Sequence, residues 1–373
     1  MIRYITTCLL AGSVALSTSS AFPEELRIAP GVPPKHPVAS HAYMPFAKYL
    51  AEETGGKHTG RILGPEVANA GQMLDALQSN VVQVGLLLPL YFPASLPNMS
   101  TAGEVALIGE EPHAMAAALT EFMVTCPPCQ SEMKNLGVVY LGSGSTAVYH
   151  LLTTKRVESM ESISGLRLRS GGAPWSRWAE HFGAVPVSMP VNDTFEAMSQ
   201  GTLDGSITSL GDLLSFRLIE LVKYVNMVPI GTYQAMSTFA VTSATWDSLS
   251  PGDRTAFAKA ANRANVDMTE YWAYETDALA TKAAKEMGIE FLDPSAEFKA
   301  ASREFAEQDI ATAAQLSLER FGLEDAPDQV RRFQELVAKW TSIIDEIGTE
   351  PEAVANRIQR EVWDNVDYGS YGQ

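Results

Sequence analysis

The sequence has few charged residues, and fewer of them are basic than acidic. Charged residues make up only 19% of the 373-residue chain, and 44 acidic side chains face 27 basic ones, for a formal net charge of −17. Such an acidic protein repels phosphate backbones and anionic lipid headgroups, which argues against binding to nucleic acid or to a membrane surface. The 46% of hydrophobic residues nevertheless suffices for two lobes with their own cores.

Long apolar runs are also missing, since no stretch beyond the N-terminus is long enough to span a bilayer. Arg3 provides a short basic start, residues 8–17 are mostly apolar, and residues 19–21 are small. This order predicts a secretory signal peptide over residues 1–21, with a mature periplasmic protein starting near Phe22. A frayed N-terminal strand is the alternative.

Recognisable catalytic motifs are absent. The chain contains no G-x-S-x-G elbow, H-E-x-x-H, P-loop or EF-hand pattern, and His36 and His41 are the only closely spaced histidines. Residues 142–147 (GSGSTA) match a loose dinucleotide fingerprint, but the β-like residues 148–154 follow where a helix is required. We therefore predict a turn at this point, no cofactor, no metal site and no enzymatic activity.

Cysteine is scarce, and only Cys126 and Cys129 lie beyond the predicted signal peptide. Their C-x-x-C spacing is compatible with a local disulfide, a redox-active pair or two free thiols, whereas it supplies only half of the ligands of a structural zinc site. In an oxidising compartment we predict the disulfide.

The residues that are present indicate alternating helices and strands. Residues 75–85 (DALQSNVVQVG) and 196–205 (EAMSQGTLDG) each combine a helix end, a turn and a strand, with Asn80 and Gly201 at equivalent turn positions. We interpret them as one αβ unit used once in each of two similar lobes, although a chance match is the alternative. Residues 253–285 lack glycine and proline and predict one long helix.

Arg169 is a candidate ligand-binding residue. It ends an alternating strand and precedes Ser170, Gly171 and Gly172. Ligands of open α/β folds lie at the carboxyl ends of strands, and a guanidinium matches the two oxygens of a carboxylate. A solvated surface charge is the alternative.

Residues 165–205 resemble the core of the TRAP (tripartite ATP-independent periplasmic) substrate-binding proteins, the DctP-type family. The resemblance extends over residues 26–310 in several blocks that occur in the family's order. The matching positions of the core are Gly165, Arg169, Gly183, Ala184, Pro186, Val187, Ala197, Met198, Gly201, Asp204 and Gly205.

This resemblance implies an α/β, two-lobed periplasmic-binding-protein (clamp) fold, with hinge strands and a long helix that spans both lobes. Lobe I would comprise residues 26–146 and about 229–270, lobe II residues 147–228 and about 271–345, and residues 346–373 a C-terminal helical extension. A monomer of this kind closes on a small carboxylate, held by Arg169, and delivers it to the small and large permease subunits.

Two departures from the family pattern weaken a dicarboxylate ligand. Tyr149 stands where many members have a second arginine, and Ser206-Ile207-Thr208 replaces a Q-E-N sequence. We predict a monocarboxylate that is apolar or aromatic, or that bears an onium group as betaine and dimethylsulfoniopropionate do. A C4-dicarboxylate and a sensor role are the alternatives, and core packing is the alternative for each aromatic. The further candidate site residues are His36, Tyr91, Tyr149, Trp175, Thr208, Ser209, Asp212 and Tyr233.

Overall fold

The computed structural model describes residues 24–373, so the predicted signal peptide lies outside the described residues. Its strands form two sheets, with the orders β2-β1-β3-β10-β4 and β11-β9-β5-β8-β6-β7. The strands are β1 Glu24–Ala29, β2 His58–Ile62, β3 Val84–Leu87, β4 Val138–Tyr140, β5 His150–Thr153, β6 Arg167–Ser170, β7 Val185–Ser188, β8 Gly205–Thr208, β9 Tyr224–Asn226, β10 Ser237–Thr242 and β11 Glu290–Leu292.

Helices surround both sheets. The α-helices are α1 Met44–Glu53, α2 Met73–Gln78, α3 Pro97–Gly103, α4 Pro112–Val124, α5 Pro127–Asn135, α6 Ala173–His181, α7 Thr194–Ser199, α8 Asp212–Ser215, α9 Ser243–Ser248, α10 Pro251–Glu270, α11 Asp277–Glu286, α12 Ala296–Phe321, α13 Ala326–Ile347 and α14 Pro351–Glu361. Val38–Tyr43 and Tyr271–Thr276 are π-helices. Short 3₁₀ turns cover Pro89–Tyr91, Ala106–Ile108, Glu161–Ile163, Val191–Asp193, Leu218–Glu220 and Trp363–Asn365.

The predicted αβ unit occurs once beside each sheet. Helix α2 leads into β3, and α7 leads into β8. The turn residues adopt the left-handed conformation in both copies, with φ of 55° at Asn80 and 68° at Gly201. In each copy the strand pairs in parallel with a neighbour, β3 with β1 and β8 with β6. The carboxyl ends of the parallel strands therefore form one edge in each sheet.

Two antiparallel crossing strands join the sheets. The Tyr149 backbone N–H donates to the Gly231 carbonyl, and the Thr146 N–H donates to the Tyr233 carbonyl. Residues 142–147, the glycine-rich segment, contain no helix and lead into β5, as predicted. These crossing segments are the hinge strands of a two-lobed fold.

The predicted long helix is present and runs from α10 through a π-helix into α11. Asn265, in α10, donates to the Leu141 carbonyl next to β4 of the first sheet. Trp272, in the π-helix, donates to Ser209 next to β8 of the second sheet. The helix therefore connects the two sheets, in agreement with a helix that spans both lobes.

The C-terminal helices pack on the side of the first sheet. Helix α13 lies against α4, and Trp340 donates its indole N–H to Glu121. The last residues dock there as well, since the Tyr371 hydroxyl donates to the Tyr140 carbonyl of β4. The lobe boundaries given above stay a prediction.

The two cysteines lie at the start of α5, where Cys126 and Cys129 are joined by a disulfide bond. Cys126 is the residue that precedes the helix, and the Cys129 backbone N–H points at its sulfur. From residue 24 onward, no helix combines the length and the hydrophobicity needed to cross a membrane.

Candidate ligand-binding site

A cavity lies between the two sheets. It sits at the carboxyl ends of the parallel strands of both sheets and against the hinge strands, which is where α/β folds bind small molecules. Its lining is largely apolar and aromatic, and consists of Val32, His36, Val38, Leu86, Leu88, Tyr91, Thr146, Tyr149, Arg169, Val191, Asp212, Tyr233, Met236 and Trp272.

Arg169 is the only basic side chain of this lining besides the neutral His36. It lies on β6 and is only 2% exposed. Its Nε donates to the Met189 carbonyl (3.1 Å) and its Nη2 to the Tyr91 hydroxyl (2.7 Å). Among residues 24–373 no carboxylate lies within 4 Å of the guanidinium, and Asp212 in the same cavity wall acts on it only from farther away. The buried positive charge therefore faces the cavity without a salt-bridge partner.

Tyr91 connects the two walls of the cavity. It follows β3 of the first sheet, yet its hydroxyl accepts hydrogen bonds from Arg169 and from the Val191 N–H (3.1 Å) on the side of the second sheet. A second contact of this kind joins the Asn192 amide to the Gly31 carbonyl (3.2 Å). The two walls are thus held together at the mouth of the cleft.

Aromatic rings form the floor next to Arg169. Tyr149 and Tyr233 come from the two hinge strands, and burial raises the pKa of both hydroxyls well above 10, so both stay neutral. The Trp175 ring stacks on Tyr233 with 5.2 Å between ring centroids and 4° between planes. Trp175 lies behind this floor rather than in the cavity lining, and its indole N–H donates to the Ile230 carbonyl (2.9 Å).

Asp212 occupies another part of the wall and is 3% exposed. Its Oδ2 accepts a hydrogen bond from the Thr208 hydroxyl, whereas its Oδ1 is buried without a hydrogen-bond partner. Burial raises the pKa of this carboxyl to about 6, against the lowering effects of Thr208 and Arg169. Burial and the charge of Asp212 also raise the pKa of Asp277 to about 7, although the Gly211 backbone lowers it.

His36 lies next to Asp212 and is neutral, because burial lowers its pKa to about 3. Its Nδ1 accepts from the Val38 backbone N–H (3.2 Å), so the ring proton is on Nε2. That nitrogen lies 3.8 Å from Asp212 Oδ1, which is too long for a hydrogen bond. The His36 ring meets the Trp272 ring edge to face, with 4.5 Å between centroids.

The structure thus brings most of the predicted site residues to one cavity. His36, Tyr91, Tyr149, Arg169, Asp212 and Tyr233 line it. Thr208 and Ser209 support the wall from behind, through the Asp212 carboxylate and the Trp272 indole N–H (3.0 Å).

Sequence reasoning missed several lining residues, above all Val38 and Trp272. Each belongs to one of the two π-helices, a rare structure that is common at functional sites. The two π-helices touch, since the His41 and Tyr271 rings stack at 3.4 Å between centroids. No sequence signal distinguishes Tyr271–Thr276 from the α-helical residues around it. The other missed lining residues are Val32, Leu86, Leu88, Thr146, Val191 and Met236.

Solved structures of other proteins share this architecture. A marine metagenome TRAP solute-binding protein specific for aromatic acids, solved with 3-hydroxybenzoate, superposes with a TM-score of 0.77 at 20% identity, over 86% of this chain and 99% of that one. The TRAP solute-binding protein of Sulfitobacter sp. NAS-14.1, with bound β-D-galacturonate, gives 0.67 at 17% identity, over 84% and 100%. At these identities the likeness shows the fold.

Sequence relatives also share low identity with this chain. The uncharacterized protein y4mM of Sinorhizobium fredii is 25% identical over 189 residues, which cover 49% of this chain and about a third (34%) of that protein. The family model of the bacterial extracellular solute-binding proteins, family 7 (DctP), matches residues 28–316. Members of this family bind solutes for transport and are not enzymes. The chain belongs to the bacterial extracellular solute-binding protein family 7, and its fold is that of the TRAP solute-binding proteins.

Proposed function

We propose that the protein captures an organic monocarboxylate with an aromatic or apolar body and delivers it to a TRAP permease. The observation that carries this proposal is the buried Arg169 guanidinium, which lines the cavity without an acidic partner. A buried charge that lacks a partner is costly, and the carboxylate of a ligand would remove that cost. The planar guanidinium of Arg169 can donate two parallel hydrogen bonds, which match the two oxygens of a carboxylate.

The rest of the lining supports one carboxylate and an apolar body. No lysine and no second arginine lines the cavity, and Tyr149 occupies the wall near Arg169. A second ligand carboxylate would therefore be buried without a cation, in the presence of the acidic Asp212. The aliphatic side chains and the rings of Tyr149, Tyr233 and Trp272 would cover a flat hydrocarbon body.

An onium-bearing monocarboxylate is the second candidate. The Trp272 ring and the Asp212 carboxylate both line the cavity, and aromatic faces and carboxylates attract quaternary cations. Secretion by cleavage of residues 1–21 and function in the periplasm as a monomer belong to the same proposal.

A thermal-shift screen of the protein purified from periplasm would test the proposal. The ligands tested are benzoate, phenylacetate, glycine betaine and succinate. A ligand that is present at 100 times its dissociation constant stabilises the folded protein by about 2.7 kcal/mol. We expect an aromatic monocarboxylate to raise the melting temperature of the wild type but not of Arg169→Ala. Arg167→Ala is the matched control, because Arg167 lies on the same strand outside the cavity lining. A larger shift with succinate would contradict the proposal.

A further inference from the structure

Asp212 and His36 form a part of the cavity wall that takes no part in the proposed contact between Arg169 and the ligand carboxylate. Asp212 is 3% exposed, and its Oδ1 has no hydrogen-bond partner. Buried carboxylate oxygens are almost always hydrogen-bonded, because an unpaired one keeps the cost of its lost hydration. This oxygen therefore lacks a donor that a ligand would supply.

His36 supplies the complementary half of the same subsite. Its Nδ1 accepts from the Val38 N–H, so its Nε2–H is a donor, and this nitrogen lies 3.8 Å from Asp212 Oδ1. An oxygen atom about 2.8 Å from each of the two atoms completes a triangle of ordinary hydrogen bonds. Such an oxygen accepts from His36 and donates to Asp212.

We infer that Asp212 and His36 together recognise one hydroxyl group, so that the ligand is a hydroxylated aromatic monocarboxylate. This inference rests on the proposed function, in which Arg169 holds the carboxylate. Among common groups, the hydroxyl both donates and accepts at one atom. A quaternary onium group has no N–H for Asp212, a primary ammonium cannot accept from His36, and a carboxylate would meet Asp212 with a like charge.

The protonation states of Asp212 and His36 fit the proposed hydrogen bonds to a hydroxyl group. The titratable and charged groups around Asp212 are His36 from the loop after β1, Tyr149, Arg169 and, at the start of α11, Asp277. The raised pKa of Asp212, about 6, leaves it ionised at pH 8, where it accepts a hydrogen bond. The lowered pKa of His36 keeps Nε2–H as the only ring donor there.

Titration calorimetry at pH 8 with paired ligands tests the inference. The probes are 2-, 3- and 4-hydroxybenzoate, each against the methylbenzoate that carries a methyl group at the same ring position. We expect one hydroxybenzoate to bind at least 10-fold more tightly than its methyl partner. Asp212→Asn should reduce this ratio below threefold, and Asp277→Asn, the matched control outside the lining, should preserve it. His36→Phe provides a second test of the subsite that does not depend on folding of the Asp212 variant.

The outcomes separate the two proposals. Ratios within threefold at every ring position, or a preserved ratio in both Asp212→Asn and His36→Phe, would overturn the hydroxyl subsite. If the methylbenzoates still bind the wild type and lose binding in Arg169→Ala, the proposed function survives that result. Tighter binding of glycine betaine than of every benzoate would overturn the hydroxyl subsite, and absence of binding by all benzoates would overturn both.

Discussion

Two buried arginines, eight residues apart, stand in opposite electrostatic situations. Arg177, on α6, pairs with Glu104 (2.6 Å) and with Asp309 (2.7 Å), and all three side chains are at most 13% exposed. Arg169, on β6, is more deeply buried (2% exposed) but donates only to a carbonyl and a phenol. The paired arginine is a structural element that ties α6 to α12 and to the end of α3. The unpaired one faces the cavity, where the carboxylate of the proposed ligand would supply the missing partner.

The difference shows how a buried charge with a structural role can be distinguished from one with a ligand-binding role. The folded chain satisfies Arg177 by itself, so its removal leaves two carboxylates without a cation. Arg169 has no salt-bridge partner in the folded chain, so we expect its removal to affect the stability of the fold little and the binding of the proposed carboxylate strongly.

Arg177→Ala should give the largest effect, a loss of about 3–5 kcal/mol in the free energy of unfolding. The reason is the pair of buried acids: burial already raises the pKa of Glu104 although Arg177 lowers it, and the variant removes this compensation. Urea unfolding without ligand measures the loss. The triple variant Arg177→Met, Glu104→Gln, Asp309→Asn is the control and should recover much of the stability. A loss below about 1 kcal/mol in Arg177→Ala would contradict the structural role.

Arg169→Ala should weaken binding of an aromatic monocarboxylate by about 100-fold or more, equivalent to about 2.7 kcal/mol. Its unfolding free energy without ligand should change far less than that of Arg177→Ala. Calorimetry and urea unfolding of the same preparations measure the two quantities. If the two arginines gave the same pattern of losses, Arg169 would be structural and the site misplaced.

The two arginines also differ in how well the sequence predicts their roles. Arg169 was identified because it ends a strand beside a glycine-rich turn and matches a family position. The equivalent turn positions of Asn80 and Gly201 were predicted in the same way, from local residue types, and both residues have a positive φ. Such features depend on a few neighbouring residues, and their physical cause is visible in the sequence.

The Arg177 cluster was not predictable in this way. Its acidic partners lie 73 and 132 residues away in the chain, and only the packing of α6 against α12 brings them together. Trp272 was missed for a related reason, because it lies in a π-helical turn, a rare structure that nothing in the local sequence indicates. Sequence therefore yields the fold, the hinge strands and six of the residues that line the cavity, whereas Trp272 and the other missed lining residues require the structure.

The same comparison extends to two acids, Asp204 and Asp212. Burial raises the pKa of Asp212 to about 6, so the folded state keeps a proton that the unfolded state loses near pH 4. Stability should therefore fall by about 2 kcal/mol as pH rises from 4 to 6, and Asp277, raised to about 7, adds to the fall in the same direction. Urea unfolding across this range, without ligand, measures it. Asp212→Asn should flatten the curve, and an unchanged slope would contradict the raised pKa.

Arg167→Ala should give the smallest effect of the four, on stability alone. Arg167 pairs with Asp204 (3.0 Å) but its side chain is 43% exposed, and Lys155 also contacts Asp204 (2.9 Å), so water and a second cation replace most of the interaction. These partners hold the pKa of Asp204 well below its usual range. The stability that they contribute is present above pH 4 and is lost as pH falls below it. The wild type and the variant should therefore differ slightly in stability at pH 7, and this difference should shrink as pH falls below 4 towards the lowered pKa of Asp204, while their affinities for the ligand agree. A large loss of affinity would mean that the strand as a whole, rather than the unpaired arginine within it, determines binding.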